Sequence, residues 1–124
     1  MDKQQHPAGI TRRLYARILQ IMEKEKPYLD PRLTLPDLAL LAGTNRTQLS
    51  STLNRQTGRN FSRWLSSYRV NHLIEELDNH PELDTRDLYE KAGFPSRTSF
   101  YRQFKEITGK TLGEFLEERD TIPT

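Results

Sequence analysis

Five side chains that donate hydrogen bonds or carry positive charge share one side of a short segment after Pro95: Arg97, Thr98, Tyr101, Arg102 and Lys105. Ser96 is a suitable N-cap for a helix there, and Phe100, Phe104 and Ile107 recur at intervals typical of its buried face. Cations and hydroxyls on the exposed face of a short helix suit the base edges and phosphates of a nucleic acid. Most helix faces rich in arginine and lysine are only solvated surfaces. The residues on either side of this segment must therefore distinguish a DNA contact from a solvated surface.

The residues before this segment predict a second, shorter helix. Asp84 or Thr85 can cap it, Leu88 faces inward, and Gly93 supplies the positive-φ residue that ends it. Two helices joined by so short a turn form a helix-turn-helix, the arrangement with which many proteins read the DNA major groove.

The same pattern occurs earlier in the chain. Residues 31–65 align with residues 81–116 at an offset of 50 before the turn and 51 after it, so the second turn should hold one inserted residue. An internal repeat of this length is a strong architectural signal, and it favours the DNA-reading interpretation over two unrelated solvated faces.

Capping residues define the helices of the first copy. Thr34 with Asp37, and Asn45 with Gln48, have the spacing of capping boxes. The first reading helix is therefore predicted to start at Arg46 and to turn a set of small polar side chains away from its apolar side: Thr47, Ser50, Ser51 and Asn54.

A third apolar series joins the copies and predicts one long helix over about 61–76, in which Trp64 belongs to the core. At about 1.5 Å per residue it spans about 24 Å, a suitable spacer between units entering major grooves roughly 34 Å apart. A further helix is predicted over 10–25, with Arg12, Arg13 and Arg17 off its apolar face. A solvated surface is the expected setting of these arginines, and contact with a phosphate backbone is the alternative. We thus predict an all-α protein of about seven helices with five segments: a flexible N-terminal segment (1–9), a first helix-turn-helix subdomain (10–60), a linker helix (61–77), a second helix-turn-helix subdomain (78–119) and a flexible tail (120–124).

Composition excludes several classes of protein. The 124 residues carry a net charge of +2 and no cysteine, and they contain no apolar run long enough for a membrane span or a secretory leader, so a cytoplasmic protein is expected.

The charge is unevenly distributed: residues 45–69 hold five arginines and no acid, residues 70–94 carry a net charge of −5, and residues 95–112 carry a net charge of +3. Both positive blocks coincide with the candidate reading helices, as expected of a protein that contacts one duplex twice.

With these motifs in place, the chain resembles the DNA-binding domain of the AraC/XylS family of transcription regulators. The resemblance covers about residues 18–116 and rests on the doubled helix-turn-helix, the long helix ending near YRVNHLIEEL, and the stretch AGFPSRTSFYRQFKEITGKTLGEF. The stretch TNRTQLS further resembles members found in Bacteroidetes. The family's usual signature has proline at the position of Leu112 and tyrosine at that of Phe115, and both replacements keep an apolar residue.

The resemblance implies base contacts from the first two turns of each reading helix: Arg46, Thr47, Ser50, Ser51, Arg97, Thr98, Tyr101 and Arg102. Arg102 is the strongest candidate, because its fork can bind guanine O6 and N7 together. The first helix offers only small hydroxyls at its centre, so it should discriminate bases less sharply. The expected phosphate partners are Arg55, Arg59, Arg63, Lys105 and Lys110.

The sequence also bears on two other classes of function. An enzyme is not expected, because His6, His72 and His80 lack the spacing of a catalytic or metal-binding set, and no cofactor or metal is predicted. A helical protein-binding module without DNA is the alternative, and salt-dependent duplex binding would separate the two.

Regulators that this chain resembles usually carry more than the DNA-binding domain. The chain is therefore expected to be a fragment of a longer protein, with a small stand-alone regulator as the other possibility. Its expected partners are double-stranded DNA, a sensor or dimerisation domain outside these residues, and RNA polymerase, without membrane contact by this segment.

Overall fold

A computed structural model of the chain describes residues 7–121. This range contains a short 3-10 helix (Pro27–Leu29) and seven α-helices: α1 (Pro7–Lys24), α2 (Leu35–Leu41), α3 (Arg46–Thr57), α4 (Phe61–Asn79), α5 (Thr85–Lys91), α6 (Arg97–Thr108) and α7 (Leu112–Thr121). The described residues contain no strand, and the predicted all-α fold is confirmed: two helix-turn-helix pairs, α2–α3 and α5–α6, joined by the long helix α4. Residues 1–6 and 122–124, where most of the two predicted flexible ends lie, are outside the described residues.

Two helices differ in length from the prediction. Helix α1 begins three residues early, at Pro7, because a proline is tolerated in the first turn, where its missing N–H has no partner to lose. Helix α4 continues to Asn79, and the N–H of His80 still bonds to the carbonyl of Glu76 at 2.8 Å. It ends there because the following Pro81 disfavours helical geometry at His80.

The chain divides into two compact units, residues 1–65 and residues 66–124. In the first unit, α1 and α2 pack against α3. Apolar residues at helical spacing on α1 and α3 are buried, and Trp64 is only 3% exposed, which confirms its predicted place in the core. The buried apolar side chains of this unit are Leu14, Ile18, Ile21, Met22, Tyr28, Leu38, Ala39, Ala42, Leu49, Leu53, Trp64 and Leu65.

The second unit has an aromatic core. Phe100 and Phe104 are buried as predicted, with ring centroids 5.9 Å apart. Phe94, in the turn, was not predicted as a core residue, but its ring lies 5.1 Å from that of Phe100. The remaining members of the cluster come from α4, from α5 and the turn after it, and from α7: Val70, Leu73, Leu77, Leu88, Ala92 and Leu112.

The two helix-turn-helix turns share one backbone structure. Gly43 and Gly93 have φ of +71° and +93°, the left-handed conformation predicted for Gly93. In each turn the N–H groups of the glycine and of the next residue bond back into the preceding helix, at 3.2 and 2.9 Å in the first and 3.0 and 3.1 Å in the second. Four residues separate α2 from α3 and five separate α5 from α6, which confirms the predicted insertion.

Candidate nucleic-acid interface

Side-chain caps fix the start of both candidate reading helices. Asn45 Oδ1 accepts the N–H of Gln48 at 2.8 Å, and Ser96 Oγ accepts the N–H of Ser99 at 3.1 Å. The predicted capping box at Asn45 forms only in part, because the Gln48 side chain accepts instead from Thr44 Oγ1 at 3.1 Å. The predicted box at the start of α2 is complete, with Thr34 and Asp37 bonded in both directions.

The ends of the two reading helices also match. A threonine and a left-handed glycine end each helix, Thr57–Gly58 in α3 and Thr108–Gly109 in α6. Each threonine hydroxyl donates to the carbonyl four residues back, at 2.6 and 2.8 Å, and accepts the N–H of the residue after the glycine. Those residues are Arg59 and Lys110, so the same local backbone presents two of the predicted phosphate partners.

The outer face of α3 is polar and cationic. Leu49 and Leu53 are fully buried on the inner face, while the predicted contacts lie away from it. Of these, Arg46, Thr47 and Ser51 are exposed and Ser50 is half-buried. The helix contains no acidic residue, so its surface offers DNA hydroxyl, amide and guanidinium groups without charge repulsion.

Helix α6 presents larger side chains on the equivalent face. Arg97, Thr98, Tyr101 and Arg102 are all exposed, and the ring centroid of Tyr101 lies 5.1 Å from that of Phe100. Arg102 Nη1 lies 3.7 Å from Glu106 Oε1 one turn on, and both side chains are at least half exposed. An exposed pair of this kind contributes at most about 1 kcal/mol, so Arg102 can exchange it for a base or phosphate.

A polar link that the sequence did not reveal holds α6 against α4. Ser66 of α4 is buried, with 7% of its surface exposed. Its hydroxyl donates to Gln103 Oε1 at 2.8 Å. Gln103 Nε2 in turn donates to Ser99 Oγ at 3.5 Å, in the first turn of α6 beside Thr98. The link therefore restrains the part of α6 that carries predicted base contacts.

The predicted phosphate partners lie in different settings. Arg55 and Lys105 are exposed in the last turns of α3 and α6. The backbone of Arg63 is fixed by Asn60 Oδ1, which caps α4 at 2.9 Å. Lys110 forms an exposed ion pair with Glu118, which a phosphate would have to displace.

All three arginines of α1 are exposed, as predicted: Arg12, Arg13 and Arg17. Arg17 also makes a contact that was not predicted, since its Nη1 donates to the carbonyl oxygen of Ala42 at 2.8 Å, in the turn that precedes α3. Spacing within α1 could not reveal this contact, because it joins residues 25 positions apart. Arg17 thus ties α1 to the helix-turn-helix.

Electrostatics near α6 perturb one carboxyl group. The backbone N–H of Thr111 and then its hydroxyl bond to Glu114 and lower the pKa of that carboxyl below its ordinary value of 4.5. The nearby charges of Lys105 and Lys110 act in the same direction. The capping box formed by Thr111 and Glu114 starts α7, at 2.9 and 3.1 Å.

The histidines and acidic residues assemble no metal site in residues 7–121. His72 is half-buried in α4, and His80 Nδ1 lies 3.7 Å from Glu82 on the surface. His6 lies outside the described residues. No helix in the described part of the chain is both long and apolar enough to cross a membrane.

Comparison with known sequences finds a family and several relatives. A family described as a helix-turn-helix domain matches residues 38–118. The uncharacterized HTH-type transcriptional regulator YtdP of Bacillus subtilis (strain 168) is 28% identical over 105 residues, which are 85% of this chain and 13% of that protein. An uncharacterized HTH-type transcriptional regulator of Staphylococcus aureus is 26% identical over 106 residues, 86% of this chain and 14% of that protein. The chain therefore spans only 13 to 14% of the length of these relatives.

Two solved structures share the fold. A protein of unknown function from Listeria innocua superposes with a TM-score of 0.70 at 25% identity, covering 84% of this chain and 95% of the other. The C-terminal domain of AraT, a response regulator from Geobacillus stearothermophilus, gives a TM-score of 0.69 at 23% identity, covering 93% of this chain and 88% of the other. The relatives and structures named here come from Bacillus, Staphylococcus, Listeria and Geobacillus, and the resemblance to Bacteroidetes members stays a prediction.

Proposed function

Because the chain belongs to the AraC-type helix-turn-helix family and is the DNA-binding domain of a transcription regulator, not an enzyme, we propose that it reads two sites on one duplex. Helix α3 enters one major groove and α6 the next. The observation that carries this proposal is the equivalence of the two helices: both begin at an N-cap followed by arginine and threonine, and both end at a threonine and a left-handed glycine. Two helices with matching ends and exposed polar faces favour the same role for each, which is to enter a major groove.

The two helices differ in what they offer to DNA. Helix α6 supplies Tyr101 and Arg102 where α3 supplies Ser50 and Ser51. Arginine can bind guanine at two atoms, whereas a serine hydroxyl accepts or donates one bond to several bases. We therefore assign the sharper base discrimination to α6, and a larger share of phosphate contact and shape recognition to α3.

The relatives are much longer than the region that this chain matches, which suggests partners besides DNA. Since the matching region is 13 to 14% of those proteins, we propose that a sensor or dimerisation domain lies elsewhere in the full protein. RNA polymerase is the second proposed partner, as a regulator acts on transcription. DNA binding would place the protein in the cytoplasm of a bacterium.

Selection from a random duplex library, followed by titration of the winning site at several salt concentrations, tests the proposal. We expect a site with two short conserved blocks separated by about one helical turn, roughly 34 Å, bound more weakly as salt rises. A single conserved block would contradict the two-groove arrangement. Absence of duplex binding even at low salt would favour the protein-binding module, for which Leu40, 82% exposed on α2, offers an apolar contact.

A further inference from the structure

A hollow beside the first helix-turn-helix has no role in the base contacts described above. It lies between α1 and the turn that joins α2 to α3, and six residues line it: Arg13, Leu14, Arg17, Gly43, Thr44 and Gln48. Two of the six are arginines and none is acidic. The hollow thus concentrates positive charge at the point where α3 begins.

Hydrogen bonds already made around the hollow determine which groups face it. Arg17 uses Nη1 for the Ala42 carbonyl, which fixes its guanidinium while four of its five N–H groups stay outside that bond. The Gln48 carbonyl oxygen accepts from the Thr44 hydroxyl, so the amide that Gln48 has left to offer is a donor. Arg13 adds a second, exposed guanidinium. Three of the four polar side chains of the lining, Arg13, Arg17 and Gln48, therefore present donors, while the Thr44 hydroxyl has used its hydrogen on Gln48.

Gly43 leaves the fixed guanidinium accessible. A Cβ atom at this position would lie 3.6 Å from Arg17 Nη1, in van der Waals contact with that group. The left-handed φ of +71° also requires glycine for the turn. The same residue therefore ends α2 and keeps one wall of the hollow open.

From the two guanidinium groups, the Gln48 amide donor and the lack of an acidic residue in this lining, we infer that the hollow is an anion site for a phosphate group, and specifically for a backbone phosphate of the DNA next to the bases that α3 reads. This assignment rests on the proposed function and adds α1 to the DNA interface. Gln48 connects the two regions, because it also lines the neighbouring hollow that contains Thr47 and Ser51. A phosphate held by Arg13, Arg17 and Gln48 would fix the register of α3 in its groove, since phosphate contacts position a reading helix while base contacts specify the sequence.

The first experiment uses Arg13→Gln, with Arg12→Gln as the matched control. Both arginines are exposed on α1 and both variants remove one charge, but only Arg13 lines the hollow. Arg13→Gln should weaken binding about equally for all duplex sequences and reduce the slope of log affinity against log salt by about 0.9, while Arg12→Gln should leave the slope nearly unchanged. Equal effects of the two variants would overturn the inference, because they would reflect net charge alone.

The second experiment needs no DNA. Inorganic phosphate is titrated into the 15N-labelled chain, and the amide signals of Gly43, Thr44 and the Gln48 side chain are followed by NMR. Saturable shifts in the wild type and in Arg12→Gln, but not in Arg13→Gln, would establish an anion site.

The two experiments together separate the possible outcomes. Shifts without an effect of Arg13→Gln on DNA affinity would make the hollow a site for free phosphate and overturn the DNA assignment. A reduced salt slope in Arg13→Gln without phosphate-induced amide shifts would mean that the hollow binds phosphate only as part of DNA. If neither the reduced slope nor the shifts were observed, both the anion site and its DNA assignment would be overturned. If the wild-type chain bound no duplex, the proposed function would fail, and the phosphate titration alone would decide whether the anion site exists.

Discussion

Arg102 combines exposure with a weak ion pair on its own helix. Phe100, two residues earlier, is buried, and Glu106 lies one turn away at 3.7 Å from the guanidinium. Both side chains of the pair are at least half exposed, so releasing Glu106 costs Arg102 at most about 1 kcal/mol. The guanidinium is therefore available for the two acceptor atoms of a guanine.

Replacing Arg102 by alanine should cost about 1 to 3 kcal/mol of binding free energy at the selected site and relax the base preference at one or two positions. Competition titrations with single-base variants of the site measure both quantities. Ser51→Ala, at the equivalent position of α3, is the matched comparison and should change the preference less. A loss of affinity that was equal for every sequence would instead assign Arg102 to a phosphate.

Sequence patterns identified the buried and exposed faces of single helices, but not contacts between distant residues. The inward positions of Leu49, Leu53, Phe100 and Phe104 follow from their spacing alone. Arg17 and Gln103 did not stand out, because their partners lie 25 and 37 residues away and depend on how the helices pack. Phe94 was also missed, since a turn residue has no helical periodicity to reveal its burial.

At the scale of the elements, caps and left-handed glycines fix where each helix starts and stops. These signals are local, which is why the turn insertion and most helix ends could be predicted from the sequence. The end of α1 was predicted at residue 25 and lies at Lys24, but the left-handed Lys26 that follows it, with φ of +49°, was not predicted, because a non-glycine residue rarely adopts this conformation.

Gly43→Ala should destabilise the chain by about 1 to 2 kcal/mol, because alanine pays for the left-handed conformation that glycine adopts freely. Urea unfolding followed by circular dichroism gives the difference. Gly113→Ala in α7 is the control, since its Cβ would lie 3.9 Å from Thr111 Oγ1 in ordinary contact and its φ is not positive. That variant should be neutral or slightly stabilising. Equal destabilisation by both would show that backbone conformation is not the cause.

The capping box of α7 should make stability depend on acid pH through Glu114. Its pKa is lowered in the folded chain, so the ionised carboxylate stabilises the fold above its ordinary pKa of 4.5, and this contribution is lost as pH falls through the lower folded-state value. Glu114→Gln should therefore be less stable than the wild type at neutral pH and should approach it in acid. Glu117→Gln, an exposed change on the same helix, should show no such convergence in urea midpoints.

At the scale of the whole chain, charge is divided into blocks that follow the helices. The five arginines in residues 45–69 accompany α3 and the start of α4, and the acidic block in residues 70–94 accompanies the rest of α4 and α5. Uneven distribution of this kind orients a protein in the field of a polyanion before any specific contact forms.

If Arg63, at the start of α4, contacts a phosphate as predicted, Arg63→Gln should weaken binding uniformly across sequences and reduce the salt slope by about one. Affinities measured for the selected site and for an unrelated duplex over a salt series would check this. A changed base preference with an unchanged slope would contradict the assignment. Glu75→Gln, an exposed change in the acidic block, should leave the slope unaltered.

The division between the two units falls inside α4, between Leu65 and Ser66. One helix thus completes the first copy and supplies Val70, Leu73 and Leu77 to the core of the second. For the history of the gene, this means that the two copies do not overlap in sequence but depend on one shared helix. A deletion of all residues through Asn79 would remove the first copy and also a core helix of the second, so losing one copy in this way would destabilise the other.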